Sequence, residues 1–278
     1  MLHGAERAPV LLCLVSLLIL AHPSGAHGRA FEVCLLKGDE QNGVWGTDEF
    51  QVAVNKFGVL EHVIVRDKEL VRHAARLYAF PVPPGGGPAP RTVQGEGGTR
   101  ALSVEPPTME THDEKGTRVF VWRCRISRKD IFDGKPLCDV VERVRITPTG
   151  EIYVSYDFEW LETMRWKSFN LLIFPDKETV PGRDYLVFAG ERLLTGKLTL
   201  GAAAPGQKRI REAMDQLTVW TEVGPLHFCW DSETKCSLTW QKYVQLSMTP
   251  PAVPRKDPVY RGQKDRISYR ILLPVSQQ

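Results

Sequence analysis

"VERVRITPTGEIYVSYDFEW", residues 141–160, alternates apolar and polar side chains on both sides of a Pro148-Thr149-Gly150 break. Alternation at period two marks a strand with one buried face. Pro presets the first turn position, and Gly accepts the left-handed conformation that closes such a loop. The loop pairs Ile146 with Ile152 and Val144 with Val154. Ile152, Val154, Tyr156, Phe158 and Trp160 then share one face, and Glu151, Tyr153, Ser155, Asp157 and Glu159 share the other, opposite Arg143 and Arg145. Opposed charges on one sheet face form a wet exterior. Asp157 and Glu159 are therefore read as surface carboxylates rather than as a catalytic pair.

The same device stands upstream in "AVNKFGVLEHVIV", residues 53–65. A Lys56-Phe57-Gly58 loop sets Val54 against Leu60, Val52 against His62 and Ala53 against Glu61. That register predicts His62 packed on the apolar face. "RVFVWRCRIS" (118–127) groups Phe120, Trp122, Cys124 and Ile126 opposite Arg123 and Arg125. "QLTVWTEV" (216–223) and "LHFCW" (226–230) are strand patterns parted by Gly224-Pro225. "SLTWQKYVQLSM" (237–248) puts Leu238, Trp240, Val244 and Leu246 on one side, and "RISYRILL" (266–273) does so for Ile267, Tyr269, Ile271 and Leu273. "KRIREAMDQL" (208–217) is the one fair short helix, and it equally suits the opening of a strand. Short strands separated by turn signals predict an all-β fold, an antiparallel β-sandwich with long Gly/Pro-rich loops and little helix.

Of 278 residues, 42% are hydrophobic, enough for a large core, and the formal net charge is only +3. A polyanion binder needs a dense basic stripe. The nearest stretch, "RKDPVYRGQKDR" (255–266), is interrupted by acids, so no nucleic-acid partner is expected. No Gly-rich phosphate loop, HExxH, GxSxG or paired CxxC occurs, which argues against nucleotide, metalloprotease and serine-hydrolase chemistry. No cofactor or metal is implied.

"PVLLCLVSLLILA" (9–21) follows Arg7 and precedes the small residues of "HPSGAHG". This is the layout of a secretory signal peptide, here 1–28, with cleavage after Ala26 or Gly28. Residues 29–278 are expected to form a single β-sandwich domain, secreted or held in the periplasm or cell envelope, with no transmembrane segment after cleavage. Export permits disulfides. Cys229 and Cys236 bracket a short loop between two strand patterns, where a bridge competes with two free buried thiols. Cys124 and Cys138 are the next pair. "VPPGGGPAPRTVQGEGG" (82–98) predicts an extended exposed loop, either a lid over a cleft or a tolerated insertion.

"FQVAVNKFGVLEHVIVRDKELVR" (50–72) resembles the opening hairpin of the galactose mutarotase-like β-supersandwiches, and "VRITPTGEIYVSYDFEW" (144–160) resembles their central long hairpin. The resemblance implies a carbohydrate held on a concave sheet face. Mutarotases of that family use a His acid and a Glu base on separate strands. None of His62, His73, His112 or His227 lies in a copy of their motif, so no catalytic residue carries over.

A pyranose offers an apolar face and a polar rim, so its site needs flat rings beside hydrogen-bonding groups. Trp220, His227, Trp230, Asp231, Trp240 and Tyr243 form the densest such neighbourhood, and Trp160 with Trp166 forms a second. The expected ligand-binding rings are Trp166, Trp220, Trp230 and Tyr243. His227 and Asp231, on one strand parity, are the acid–base candidates. The competing expectations are an epimerase or polysaccharide lyase on the same scaffold, and a non-catalytic cell-envelope module.

Overall fold

The 141–160 hairpin forms in the register its sequence specifies, with Ile152 opposite Ile146 and Val154 opposite Val144. The computed structural model describes residues 32–95, 108–127, 132–200, 209–210, 214–231, 234–240, 242–253 and 257–276. The expected leader at 1–28 lies outside the described residues, as do 96–98 of the Gly/Pro-rich loop.

The strands run in chain order. They begin with β1 (Cys34–Gly38), β2 (Gly43–Gly46), β3 (Phe50–Val54), β4 (Leu60–Val65), β5 (Lys68–Pro81) and β6 (Thr92–Val93). Next come β7 (Thr108–Glu114), β8 (Thr117–Ser127), β9 (Pro136–Ile146), β10 (Glu151–Trp160), β11 (Trp166–Pro175), β12 (Asp184–Ala189) and β13 (Arg192–Lys197). The last are β14 (Arg209–Ile210), β15 (Gln216–Thr221), β16 (Gly224–Trp230), β17 (Lys235–Trp240), β18 (Val244–Thr249) and β19 (Lys264–Leu272). They make two antiparallel sheets. The ten-stranded sheet runs β1-β2-β3-β4-β5-β11-β18-β17-β14, with β6 beside β5. The nine-stranded sheet runs β13-β12-β15-β16-β19-β10-β9-β8-β7.

The inner faces of the two sheets share one apolar core. Ile152, Val154, Tyr156, Phe158 and Trp160 are all buried there, each such side chain contributing roughly 1.5–3 kcal/mol. Phe158 and Trp160 of the nine-stranded sheet meet Phe169 of the other, edge to face, at 5.1 and 5.0 Å. Trp166 closes the cluster, 5.0 Å from Phe169 and 5.6 Å from Trp160. Interlocked rings of this kind fix how the sheets sit face to face.

A second tie is polar. Glu142 shares its parity with Val140, Val144 and Ile146 and is buried on the inner face of β9. Gln94 Nε2 donates to Glu142 Oε2 at 2.7 Å and to the Phe57 carbonyl at 2.9 Å. Gln94 Oε1 accepts from the Leu77 amide and the Tyr156 hydroxyl, both at 3.0 Å. Burial pushes the Glu142 carboxyl up to about 8, against the hydrogen bonds from Tyr156 and Gln94.

Two local expectations are corrected and one open reading is decided. In β4 a bulge sets Val52 opposite Val63 while Val54–Leu60 and Ala53–Glu61 hold. His62 falls in the bulge at φ 49° and turns outward, its Nδ1 2.6 Å from Glu69 Oε1, instead of packing inward. Of the two readings of 208–217, helix or strand opening, the strand holds where the residues are described: Arg209–Ile210 pair with Thr239 and Leu238, and Gln216 opens β15. The Gly/Pro-rich loop is exposed over 84–88, but Thr92, Val93 and Gln94 return to the sheet and are buried. The 237–248 stretch folds back as a hairpin, and its alternation survives because Trp240 pairs with Val244 across the turn.

Candidate functional site

The two outer faces differ in chemistry. On the nine-stranded sheet, charges answer charges. Arg143 and Arg266 both hold Asp157, Arg125 grips Asp139 at 2.6 Å, and Lys264 and Arg270 face Glu159 and Glu151. A cavity of about 1060 Å³ lies here, with Asp139, Asp157, Glu159, Lys264, Asp265 and Arg266 in its lining. Its carboxylates are already held: Asp265 accepts the amides of Ala252 and Arg266 at 2.8 and 3.2 Å. Ligand sites are mostly apolar with a few placed polar groups; this groove adds Val141, Phe158, Pro251 and Ala252 to its lining, but its charges are committed to ion pairs.

The outer face of the ten-stranded sheet has that composition. Its centre is β5, β11 and β18. Asn170 lies opposite Tyr78, and Thr249 Oγ1 donates to Asn170 Oδ1 at 2.9 Å. Asn170 Nδ2 donates in turn to Ser168 Oγ. In the next row Leu172 stands between Arg76 and Ser247. In the row beyond, Phe174 lies opposite His73, with ring centroids 6.1 Å apart, and Tyr243 meets Phe174 at 5.5 Å. Alternate residues on a strand are ~6.7 Å apart, so Tyr78 and Phe174 stand ~13 Å from each other. Arg76 and Arg91 cover the Tyr78 ring at 5.8 and 5.3 Å. Arg76 Nε also donates to the Gln94 carbonyl at 3.2 Å, so the Gly/Pro-rich loop is fastened to this face.

His73 is desolvated here, and burial followed by Arg76 and Arg72 lowers its imidazole to about 4. It is neutral at neutral pH, and its Nδ1 is buried without a hydrogen-bond partner. Glu61 is its register neighbour on β4 but accepts from Asn55 Nδ2 at 3.2 Å. The arrangement offers ring faces, an amide, hydroxyls and a guanidinium on one partly open surface.

The rings expected from sequence are dispersed. Trp166 is 3% exposed and belongs to the inter-sheet cluster. Trp230 is 8% exposed, and its indole N–H donates across the core to Met248 Sδ at 3.0 Å. Trp220 is 46% exposed, but on the nine-stranded sheet, opposite Pro225. Tyr243, 47% exposed, does join the candidate face. His227 and Asp231 do not pair. His227 Nδ1 lies 2.9 Å from Thr218 Oγ1, with burial lowering its pKa, while Asp231 accepts from Ser268 Oγ.

The Cys229–Cys236 bridge is also corrected. Cys229 lies on the outer side of β16 opposite Arg270, and Cys236 is in the core on β17 opposite Met248. The strands belong to different sheets, so the two sulfurs are not cross-strand neighbours. Every described cysteine is a free thiol. Burial raises the pKa of Cys124, Cys138, Cys229 and Cys236, which disfavours their thiolates.

Tyr78, Asn170, Phe174 and Thr249 escaped the sequence reading. "LLIF" (171–174) is a continuous apolar run, so its outward positions carry no period-two mark. Register shifts around Phe174 break the parity of β11 against β5 as well.

No family model and no curated protein matches this chain. Among solved structures, the Slr1438 protein from Synechocystis sp. PCC 6803 superposes with a TM-score of 0.51 at 8% identity, over 91% of this chain and 99% of that one. Galactose 1-epimerase from Lactobacillus acidophilus NCFM gives a TM-score of 0.48 at 8% identity, over 86% and 97%. At such identity the likeness to Slr1438 is one of fold alone.

Proposed function

We propose that this protein is an exported carbohydrate-binding β-supersandwich whose ligand lies on the outer face of the ten-stranded sheet. The observation that carries the reading is the row Tyr78–Asn170–Thr249, with Arg76 and Arg91 over the tyrosine ring. A pyranose packs beside the Arg-covered Tyr78 ring and exchanges hydrogen bonds with Asn170, Thr249 and Arg76. Phe174 and Tyr243, two rows away, offer a second apolar surface, so the footprint is wider than one sugar ring. The leader-like run at 9–21 supports export.

Calorimetric titration with a panel of mono- and oligosaccharides tests the binding. At least one saccharide is expected to bind, and Asn170→Ala and Tyr78→Ala each to weaken it by about tenfold or more. No heat from any saccharide, or affinity untouched by both substitutions, overturns the reading.

A catalytic reading on the same face rests on Glu61 and His73, which are register neighbours. It predicts anomer exchange or chain cleavage that His73→Gln abolishes while saccharide affinity stays. Turnover unaffected by that substitution removes His73 from any catalytic role.

A further inference from the structure

The candidate face continues, at the start of β11, into a pocket of about 670 Å³ beneath the Gly/Pro-rich loop. Val82, Pro88 and Ala89 of the loop and Arg165, Trp166 and Lys167 beside it form its walls. Lys167 is three residues from Asn170, ~10 Å along the strand. An adjoining pocket of about 490 Å³ shares Val82 and Arg165 and adds Lys135, with Glu162 as its acid.

The charged lining of these two pockets is mostly positive. Arg165, Lys167 and Lys135 have no carboxylate partner among the described residues. On the nine-stranded sheet Arg125, Arg143, Lys264, Arg266 and Arg270 each meet an acid. Trp166, almost wholly buried and packed on Phe169 and Trp160, gives the pocket a fixed floor.

We propose that this pocket receives an anionic substituent, a carboxylate or sulfate, of the saccharide on the adjacent face, so that the ligand is an acidic glycan. The inference rests on the proposed carbohydrate face and names its substrate class. Arg165 supplies a planar fork that matches a carboxylate or sulfate edge, and Lys167 supplies a point charge on the open side. Both side chains are exposed, so their removal leaves the core intact.

The test is a calorimetric comparison of a galacturonic-acid trisaccharide with a neutral galactose trisaccharide of the same linkage, and with a sulfated galactose trisaccharide. The wild-type protein and the Arg165→Ala/Lys167→Ala double variant are titrated in parallel. The wild type is expected to prefer at least one acidic ligand by about tenfold or more, and to lose the preference as salt rises from about 20 to about 200 mM. The double variant is expected to bind the acidic and neutral ligands alike, at the wild-type neutral affinity. Whichever acidic ligand keeps the preference identifies the anion. Equal binding of neutral and acidic ligands by the wild type, or a preference that survives the double substitution, overturns this inference and leaves the carbohydrate face standing. Absence of binding by all three, and by the wider panel, overturns both.

Discussion

Glu142 is an ionisable group set among apolar ones, and its titration reaches the stability of the molecule. Burial raises its carboxyl from the ordinary 4.5 to about 8. The folded chain keeps a proton that the unfolded chain releases near 4.5. This contribution to stability is therefore full below about pH 4.5 and lost as pH rises through 8. His73 acts in the opposite sense. Its imidazole falls from 6.5 to about 4, so its contribution is present above 6.5 and lost as pH falls through 4. Between pH 6.5 and 8 Glu142 alone of the two changes the balance. Urea unfolding across that window should show stability falling by up to about 1.4 kcal/mol per pH unit. Glu142→Gln, which keeps a bond to Gln94, should flatten that slope, and a slope unchanged by the substitution contradicts the assignment. Glu142 breaks the Val140, Val144, Ile146 parity in "VERVRI", a mark that the sequence reading passed over. Its partner was not legible, because Gln94 sits in a stretch whose composition says only loop.

At the scale of elements, the hairpins show what a turn encodes and where it stops. The β9–β10 hairpin follows its Pro-Thr-Gly loop residue for residue. The β3–β4 hairpin starts in the expected register and then slips at His62. Local alternation cannot announce a bulge, because the bulge serves neighbours distant in sequence. The loop of this hairpin also packs inward. Gly58 has φ 76°, and a Cβ there would collide with Glu142 Oε2 and lie 3.0 Å from Trp122 Cγ. Gly182, at φ 79°, has open space around its would-be Cβ. Gly182→Ala should cost roughly 1–2 kcal/mol, the backbone term alone. Gly58→Ala should add an overpacking cost of roughly 1–3 kcal/mol. Equal losses in denaturant unfolding would mean that the loop does not press on the core.

For the whole molecule, the two-sheet architecture was readable from period-two patterning and the choice of ligand face was not. Buried strands on both sides of β11 erase the alternation that would mark its outward residues, and strand order is set by pairings such as β5 with β11 and β19 with β10. Tryptophan count misled for a related reason: Trp166 and Trp230 spend their rings holding the sheets together. Phe169→Ala, which empties the centre of the inter-sheet cluster, should cost roughly 3–5 kcal/mol in urea unfolding. A loss under about 1 kcal/mol would mean the sheets are held elsewhere.

The claim that the ten-stranded sheet carries the ligand is tested most directly by hydrogen–deuterium exchange with and without a saturating saccharide. Added protection is predicted in peptides spanning 76–80, 168–174 and 245–249. Protection confined to 139–159 and 263–266, around the ion-paired groove of the other sheet, would contradict it.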